Sequence, residues 1–261
     1  MILDAHVHAW PAEAGLRADR TYTPKRAFPV EDLLRVLDSH DIDGAVIVQP
    51  SFLGSDNSYL LSCLKAHSDR FRGVAVVGPK ITAAELDDLR ACGVAGVRLN
   101  VLHGDIPELR SGPWRAFLDR ANGADLHIQV FAEADRMPRL LPPLGEAGCA
   151  IVIDHFGMPS ADLGVDDPNW QAVLDLATDL RHHVKLSGSY RLGGQAADPL
   201  VERLIRTFGP DRLVWASDCP WTRFEDRHGY RDCLDWLEDW VPDDAARRAV
   251  SGETARKLYR F

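Results

Sequence analysis

Eight short apolar runs recur along the 261-residue chain, and each is rich in Val, Ile or Leu. Near-continuous apolar runs of this length are typical of strands that are buried on both faces of a parallel sheet. The predicted strands are Ile2–His8, Gly44–Gln49, Gly73–Gly78, Ala95–Asn100, His127–Phe131, Ala150–His155, Val184–Ser187 and Leu213–Asp218.

Between these runs, apolar residues return at the three- and four-residue spacing of helices, as in Val30, Leu33, Leu34 and Leu37. Thr82, with Glu85 three residues later, is a predicted helix N-cap. A similar pattern from Met137 to Leu144 contains Pro142 and Pro143, which are expected to break a helix there. A closing helix is predicted over residues 243–258.

Strands that alternate with helices indicate βαβ units and a parallel sheet. Eight units predict a (β/α)8 TIM barrel, with one domain over residues 1–261, rather than an open sheet. An open doubly wound sheet usually carries a glycine-rich phosphate turn after its first strand, where this chain has His6-Val7-His8-Ala9-Trp10. Functional residues of such barrels lie at the carboxyl ends of the strands. The polar residues expected to gather there are His6, His8, Gln49, Ser51, Arg98, Gln129, His155 and Asp218.

The formal net charge of −9 disfavours nucleic acid and anionic membranes as partners. No apolar stretch reaches the roughly 20 residues that span a bilayer, and no secretory leader is evident. The five cysteines are scattered and lack CxxC spacing, which argues against disulfides or a cysteine zinc site and favours a cytoplasmic setting. Cys219, next to Asp218, could be a nucleophile, but a packing role is favoured. Nothing in the residues indicates the oligomeric state.

The first strand carries a His-x-His pair, and residues two apart on a strand project to the same face. Such a pair can simply be a hydrogen-bonded strand face. Adding His155 and Asp218 gives four ionisable groups at one rim, which are costly to bury without a function. Asp218 can meet His6 and His8 only if the sheet closes.

Four segments resemble motifs of the amidohydrolase superfamily: Asp4-Ala5-His6-Val7-His8, Asp154-His155-Phe156-Gly157, Lys185-Leu186-Ser187-Gly188 and Trp215-Ala216-Ser217-Asp218. The closer similarity is to its lactonase branch, which includes the 2-pyrone-4,6-dicarboxylate lactonases. The resemblance implies water attack on a small anionic lactone, with Asp218 as the general base. It further implies that His6, His8 and His155 polarise the substrate or hold a metal. The substrate contacts implied in this way are Arg98, Arg191, Ser51, Tyr22 and Gln129.

Two departures from the family pattern refine these expectations. Metal-dependent members usually have a histidine, lysine or glutamate on the central strands, where this chain has Gln129. This leaves His6, His8 and Asp218 as possible zinc ligands, with His155 as a further candidate, since zinc can bind three protein ligands and a water. Because the dicarboxylate lactonases are similar to metal-free hydrolases of their branch, no obligatory metal is expected, and zinc remains possible. The dicarboxylate lactonase pattern also has a second basic residue soon after Arg98, but here the next one is Arg110. His103 is a weak substitute, so the expected substrate has one carboxylate or is a different lactone.

Two rival hypotheses remain open. A zinc-dependent decarboxylase or hydratase could use the same scaffold, and tightly bound zinc with carbon dioxide release would favour it. A non-catalytic binding barrel is a different class of protein, and the intact set of His6, His8 and Asp218 argues against it. Lys185 could enter the site, but a buried hydrogen-bonded support role is favoured.

Overall fold

The computed structural model describes residues 1–194 and 196–261, and its eight strands form one sheet in chain order. All seven ladders between consecutive strands are parallel. The strands are β1 Leu3–Val7, β2 Gly44–Val48, β3 Phe71–Ala75, β4 Val94–Asn100, β5 His127–Phe131, β6 Ile151–Ile153, β7 His183–Leu186 and β8 Leu213–Trp215. The prediction of a (β/α)8 barrel is confirmed.

The sheet closes where the first and last strands meet. The backbone N–H of His8 donates to the carbonyl of Cys219 over 2.8 Å, and that of Asp218 donates to the carbonyl of His6 over 2.9 Å. These bonds bring the beginning of the chain against residues that follow β8. The sheet is therefore closed, which is the condition for Asp218 to meet His6 and His8.

A buried carboxylate strengthens this closure. Asp4 accepts hydrogen bonds from the backbone N–H of Ser217 at 3.0 Å and from the hydroxyl of Tyr230 at 2.6 Å. Strict alternation along β1 would place Asp4 with His6 and His8, yet Asp4 contacts a helix outside the barrel. The register between β1 and β2 shifts between Asp4 and Val7, which explains the departure from alternation.

The helices lie between the strands and after β8. They are α1 Val30–Asp38, α2 Ser58–Ala66, α3 Ala83–Ala91, α4 Gly112–Gly123, α5 Met137–Glu146, α6 Gln171–Asp175, α7 Asp198–Phe208, α8 Tyr230–Trp240, α9 Asp244–Arg248 and α10 Thr254–Tyr259. Thr82 caps α3 in a capping box with Glu85, as predicted. Across the described residues, no helix combines the length and apolar character needed to cross a membrane.

The expectation that Pro142 and Pro143 break a helix is wrong, because α5 continues through both residues. Each proline removes one backbone hydrogen bond from the helix. The helix nevertheless buries Met137, Leu140 and Leu144 against the core. Burial of an apolar face, rather than intrinsic propensity, supplies most of the stability of a helix in a protein.

Six predicted strands end earlier than expected, and the early ends of β6 and β8 bear on the site. β6 stops at Ile153 and β8 at Trp215, so His155 and Asp218 follow the strands instead of lying in them. Both residues have a left-handed backbone, with φ of 50° at His155 and 61° at Asp218. This conformation is incompatible with a strand and is uncommon for residues other than glycine. Strained backbone of this kind is frequent at functional sites.

The barrel interior has two parts. An apolar cluster includes Leu3, Val46, Val74 and Val214, and Tyr259 of α10 packs against it. His127, the first residue of β5, contacts the Tyr259 ring with 5.5 Å between ring centroids. The α10 helix therefore covers the amino-terminal end of the barrel. The polar residues of the site lie toward the other end.

Candidate active site

Three polar side-chain atoms converge at the carboxyl end of the barrel. The Nε2 atoms of His6 and His8 lie 3.7 and 3.6 Å from Oδ1 of Asp218. All three side chains are buried. The structure thus brings together three of the four residues predicted to be catalytic, from opposite ends of the chain.

The two oxygens of Asp218 have different environments. Oδ2 accepts hydrogen bonds from the Tyr190 hydroxyl at 2.6 Å and from Nε and Nη2 of Arg191 at 2.9 and 2.7 Å. Oδ1 has no hydrogen-bond partner among the described residues. Burial alone would raise the pKa of Asp218, but the charge of Arg191 helps to hold it well below its usual value. An ionised oxygen therefore faces the histidines.

His8 is oriented by a backbone carbonyl. Its Nδ1 lies 2.7 Å from the oxygen of Val48, which can only accept a hydrogen bond. The proton is therefore on Nδ1, and in the neutral ring Nε2 presents a lone pair toward Asp218. A histidine held in this way has the tautomer that ligands and general bases require.

His155, the fourth predicted catalytic residue, lies beside this group. Its ring stacks on that of His6 with 5.1 Å between centroids, and its Nε2 is 3.9 Å from Oδ2 of Asp218. Its Nδ1 is hydrogen-bonded to the hydroxyl of Ser187 at 2.9 Å. Burial lowers the pKa of His155 to about 4 and lowers that of His6 well below its usual value. Both rings are consequently uncharged at neutral pH.

A layer of polar side chains lies beneath the histidines, and Asp154 is at its centre. Oδ2 of Asp154 accepts hydrogen bonds from Nη2 of Arg98 and Nε2 of Gln129, each at 3.1 Å. Oδ1 lies 3.3 Å from both Nδ1 of His6 and Nζ of Lys185. Lys185 also donates to Oε1 of Gln129 at 2.8 Å, consistent with the predicted support role.

The layer also determines the charge of the site. Burial would raise the pKa of Asp154, but the charge of Lys185 helps to hold it well below its usual value. Burial lowers the pKa of Lys185 to about 8, so the amine remains mostly charged at neutral pH. With His6 and His155 uncharged, three cations (Arg98, Lys185 and Arg191) outnumber the two carboxylates of Asp154 and Asp218. The site thus favours an anion, although the whole chain is acidic.

A cavity of about 250 Å³ opens above this group, and its walls include His8, His155 and Asp218. Four of the predicted substrate contacts line it: Tyr22, Ser51, Arg98 and Arg191. The fifth, Gln129, does not line the cavity, because its amide is held below by Lys185 and Asp154. A second cavity of about 490 Å³ adjoins the first and shares Ser51, Arg98 and His103 with it.

Three of these contacts already have partners. Arg191 pairs with Asp218, and its side chain is 12% exposed. The Tyr22 hydroxyl donates to Glu225, which joins the loop after β1 to the loop after β8. Arg98 is tied to Asp154 through one nitrogen, while its Nε has no hydrogen-bond partner among the described residues.

The donor set fits a zinc ion. Nε2 of His6 and Oδ1 of Asp218 are buried atoms without hydrogen-bond partners in the described chain, and Nε2 of His8 lies beside them. Ligands about 2.0–2.1 Å from a tetrahedral zinc lie about 3.4 Å apart, close to the 3.6 and 3.7 Å observed here. Two imidazoles and a carboxylate are also ligands that zinc accepts.

Sequence reasoning assigned no role to two residues of the site. Asp154 immediately precedes His155, and its place in the Asp-His-Phe-Gly segment was a signal that this carboxylate also follows a barrel strand. Tyr190 immediately precedes Arg191 on the loop after β7, but nothing in its spacing indicates that its hydroxyl reaches Asp218.

The chain is similar over nearly its whole length to several known proteins. The 4-sulfomuconolactone hydrolase of Rhizobium radiobacter is 29% identical over 272 residues, which cover 98% of this chain and 89% of that protein. The 2-pyrone-4,6-dicarboxylate hydrolase of Comamonas testosteroni is 27% identical, with coverage of 92% and 82%. A solved structure of a probable 2-pyrone-4,6-dicarboxylic acid hydrolase from Acinetobacter baumannii, with citric acid bound, superposes with a TM-score of 0.95. Its sequence identity is 30%, and the match covers 100% of this chain and 99% of that one.

The family model described as amidohydrolase matches residues 3–261, from the first residue of β1 through α10. The match includes His6, His8, His155 and Asp218. This chain therefore belongs to the amidohydrolase family.

Proposed function

We propose that this protein hydrolyses a small lactone that carries a carboxylate or a similar anionic group. The observation that carries the proposal is the convergence of Oδ1 of Asp218 with His6 and His8 at the wall of a cavity. The names of the relatives support lactone hydrolysis as the reaction class. The cavity beside Asp218 has a volume of about 250 Å³, which suits a small substrate ring.

Asp218 is the proposed general base. Its Oδ2 is occupied by Tyr190 and Arg191, which leaves Oδ1 to accept a proton from the attacking water. A base must lie within hydrogen-bond reach of the proton that it removes, and a water between Asp218 and the cavity meets this requirement. The depressed pKa keeps the carboxylate ionised at neutral pH.

The leaving oxygen of the lactone needs a proton when the ring opens. His155 is the proposed donor, because it lines the cavity and its Nε2 faces the carboxylate that collects the proton from water. A proton accepted by Asp218 can thus be passed to the imidazole and on to the alkoxide. This transfer leaves both groups as they began.

Zinc, when held by His6, His8 and Asp218, would polarise the carbonyl or lower the pKa of a bound water. We propose that turnover does not require it, since Arg98 and Arg191 already supply positive charge at the cavity wall. Arg98 and Arg191 are also the proposed anchors of the substrate anion, because a guanidinium matches the planar shape of a carboxylate. His103, the weak substitute for the basic residue expected after Arg98, lies on the same wall.

The test is a panel of anionic and neutral lactones, followed by proton release with a pH indicator, on chelator-treated and zinc-supplemented protein. We expect turnover of anionic lactones in both preparations. Asp218→Asn should lower the rate by at least about a hundredfold, as expected for the loss of a general base. Asp119→Asn, at a surface ion pair with Arg115, is the matched control.

A rate of Asp218→Asn close to that of the parent protein would remove Asp218 from this role. Carbon dioxide release that depends on zinc would favour the decarboxylase hypothesis instead. Binding of lactones without turnover in either preparation would favour a non-catalytic barrel.

A further inference from the structure

Arg223 is a third arginine at the wall of the cavity, and neither the sequence motifs nor the proposed mechanism gives it a role. It lies on the loop after β8, shortly beyond Asp218, and it lines the same cavity as Arg98 and Arg191. Arg223 is exposed, whereas the side chains of Arg98 and Arg191 are largely buried. It therefore lies at the mouth of the cavity rather than at its floor.

The charge of Arg223 differs from that of the other two arginines in having no carboxylate partner. Arg98 is paired with Asp154 at 3.1 Å, and Arg191 is paired with Asp218 at 2.7 Å. An anion that binds either of them also meets the negative charge of the paired carboxylate. In the part of the chain that the structure describes, no carboxylate pairs with Arg223.

The acidic residues that follow Arg223 most closely in the chain are engaged elsewhere. Glu225 accepts a hydrogen bond from the Tyr22 hydroxyl, and Asp226 pairs with Lys25 at 2.8 Å. Both contacts join the loop after β8 to the loop after β1. They hold the segment that carries Arg223 across the mouth of the cavity while its positive charge stays unpaired.

The guanidinium of Arg223 is held in place by two residues that also line the cavity, Thr21 and Tyr22. Its Nη2 donates to the carbonyl and hydroxyl oxygens of Thr21, each at 2.9 Å, and its Cζ lies 5.7 Å from the centroid of the Tyr22 ring. Nε and Nη1 have no hydrogen-bond partner among the described residues. These two nitrogens can donate to a ligand without breaking the contacts that hold the side chain, which lowers the entropic cost of binding.

We infer that Arg223 binds the anionic group of the substrate at the mouth of the cavity. Its ligand is the lactone of the proposed function, on which this assignment rests. Asp218 is fully buried and Arg223 is exposed, so the carbonyl that water attacks lies deep and the anionic group points outward. Arg223 thus supplies, from the loop after β8, the second cation that the segment after Arg98 lacks. The substrate class is a lactone whose anionic substituent lies on the side of the ring away from the carbonyl.

The first test is calorimetric titration of citrate, a small tricarboxylate, into chelator-treated protein at low ionic strength. Arg223→Gln should weaken binding about fivefold to tenfold, the size of one charge contact at a partly solvated wall, and added salt should reduce the difference. Arg227→Gln is the matched control, because Arg227 is an exposed arginine of the same loop that contacts the Phe224 ring and is not among the residues that line the cavity. Equal affinities of Arg223→Gln and the parent, an equal loss in the two variants, or a parent that binds no citrate would overturn the assignment.

Arg223→Lys separates the charge from the loop contact. Gln keeps an N–H donor for Thr21 without the charge, whereas Lys keeps the charge without the guanidinium plane. We expect the citrate affinity of Arg223→Lys to stay within about threefold of that of the parent. A loss as large as that of Arg223→Gln would show that the loop contact, and not the charge, determines binding.

The second test compares each anionic lactone that the parent hydrolyses with its carboxamide. Arg223→Gln should raise KM for the acid about fivefold to tenfold, with kcat and the KM of the carboxamide nearly unchanged. An equal rise for acid and carboxamide contradicts the assignment. A parent that hydrolyses no lactone refutes the proposed function, and the citrate titration still decides whether Arg223 binds an anion. Lactone turnover with a citrate affinity that is insensitive to Arg223 refutes the role of Arg223 alone.

Discussion

His127 makes the stability of this barrel sensitive to acid. The residue is buried at the start of β5, and its ring packs against Tyr259. Burial is the main cause that lowers its pKa to about 3, and the charge of Lys185 adds to the effect. Since the pKa in the unfolded chain is about 6.5, the unfolded state binds more protons between pH 6.5 and 3. Stability is therefore lost as the pH falls through this range.

The size of the effect follows from the two pKa values. At pH 5 the pH lies about 1.5 units below the pKa of this histidine in the unfolded chain. The unfolded state is therefore stabilised by binding a proton there, whereas the folded state is not. At about 1.36 kcal/mol per unit, this amounts to about 2 kcal/mol from His127 alone. His155 and His183, whose pKa values burial lowers to about 4, act in the same direction. The protein should thus be markedly less stable at pH 5 than at pH 7.5.

The assay is urea unfolding at pH 7.5 and pH 5, for the parent protein and for His127→Met. The substitution removes one titrating group, while the other histidines are common to both proteins. We expect the parent to lose about 2 kcal/mol more than the variant between the two pH values. Equal losses in the two proteins would show that His127 is not held neutral by burial, and the reasoning would fail.

Three further outcomes are expected. Arg98→Met should raise KM for anionic lactones more than for neutral ones, and an equal rise for neutral lactones would contradict the anchor role. The same variant should reduce the free energy of unfolding, measured in urea, by about 3–5 kcal/mol, because Asp154 loses a buried partner. Zinc at a hundredfold excess over its Kd should stabilise the folded protein by about 2.7 kcal/mol, which calorimetry would detect as a higher thermal unfolding temperature. His8→Asn should abolish most of this increase. Gly96→Ala should destabilise the protein by about 1–3 kcal/mol in urea, since the added Cβ would lie 2.3 Å from the His127 ring; unchanged stability would show that the ring can move aside.

The barrel was predictable from the sequence because its evidence is local. β5, for example, was predicted with the bounds that the structure has, since His127–Phe131 is a continuous buried run. The positions where strands end were less predictable. His155 and Asp218 continue the apolar runs in the sequence, but a left-handed backbone turns each of them out of its strand.

The residues of the site were largely predictable, whereas their partners were not. His6, His8 and Asp218 carry recognisable motifs, and the rule that functional groups lie at the strand ends predicts that they meet. The contacts of Asp154 with Gln129 and Lys185 cross three strands inside the barrel. They depend on register and on side-chain reach, which no single segment encodes. The pairing of Arg191 with Asp218 has the same origin, and it shows that a proposed substrate anchor also holds the proposed base.

The carboxylate of Asp4 joins segments that are synthesised far apart in time. Its partners Ser217 and Tyr230 lie 213 and 226 positions later in the chain. A nascent polypeptide therefore cannot complete the ring of strands until Ser217 and Tyr230 have left the ribosome. Contacts of such long sequence separation also carry a high entropic cost and are slow to form. Catalytic competence should consequently be among the last properties that a newly made molecule acquires, which leaves incomplete chains inactive toward lactones in the cell.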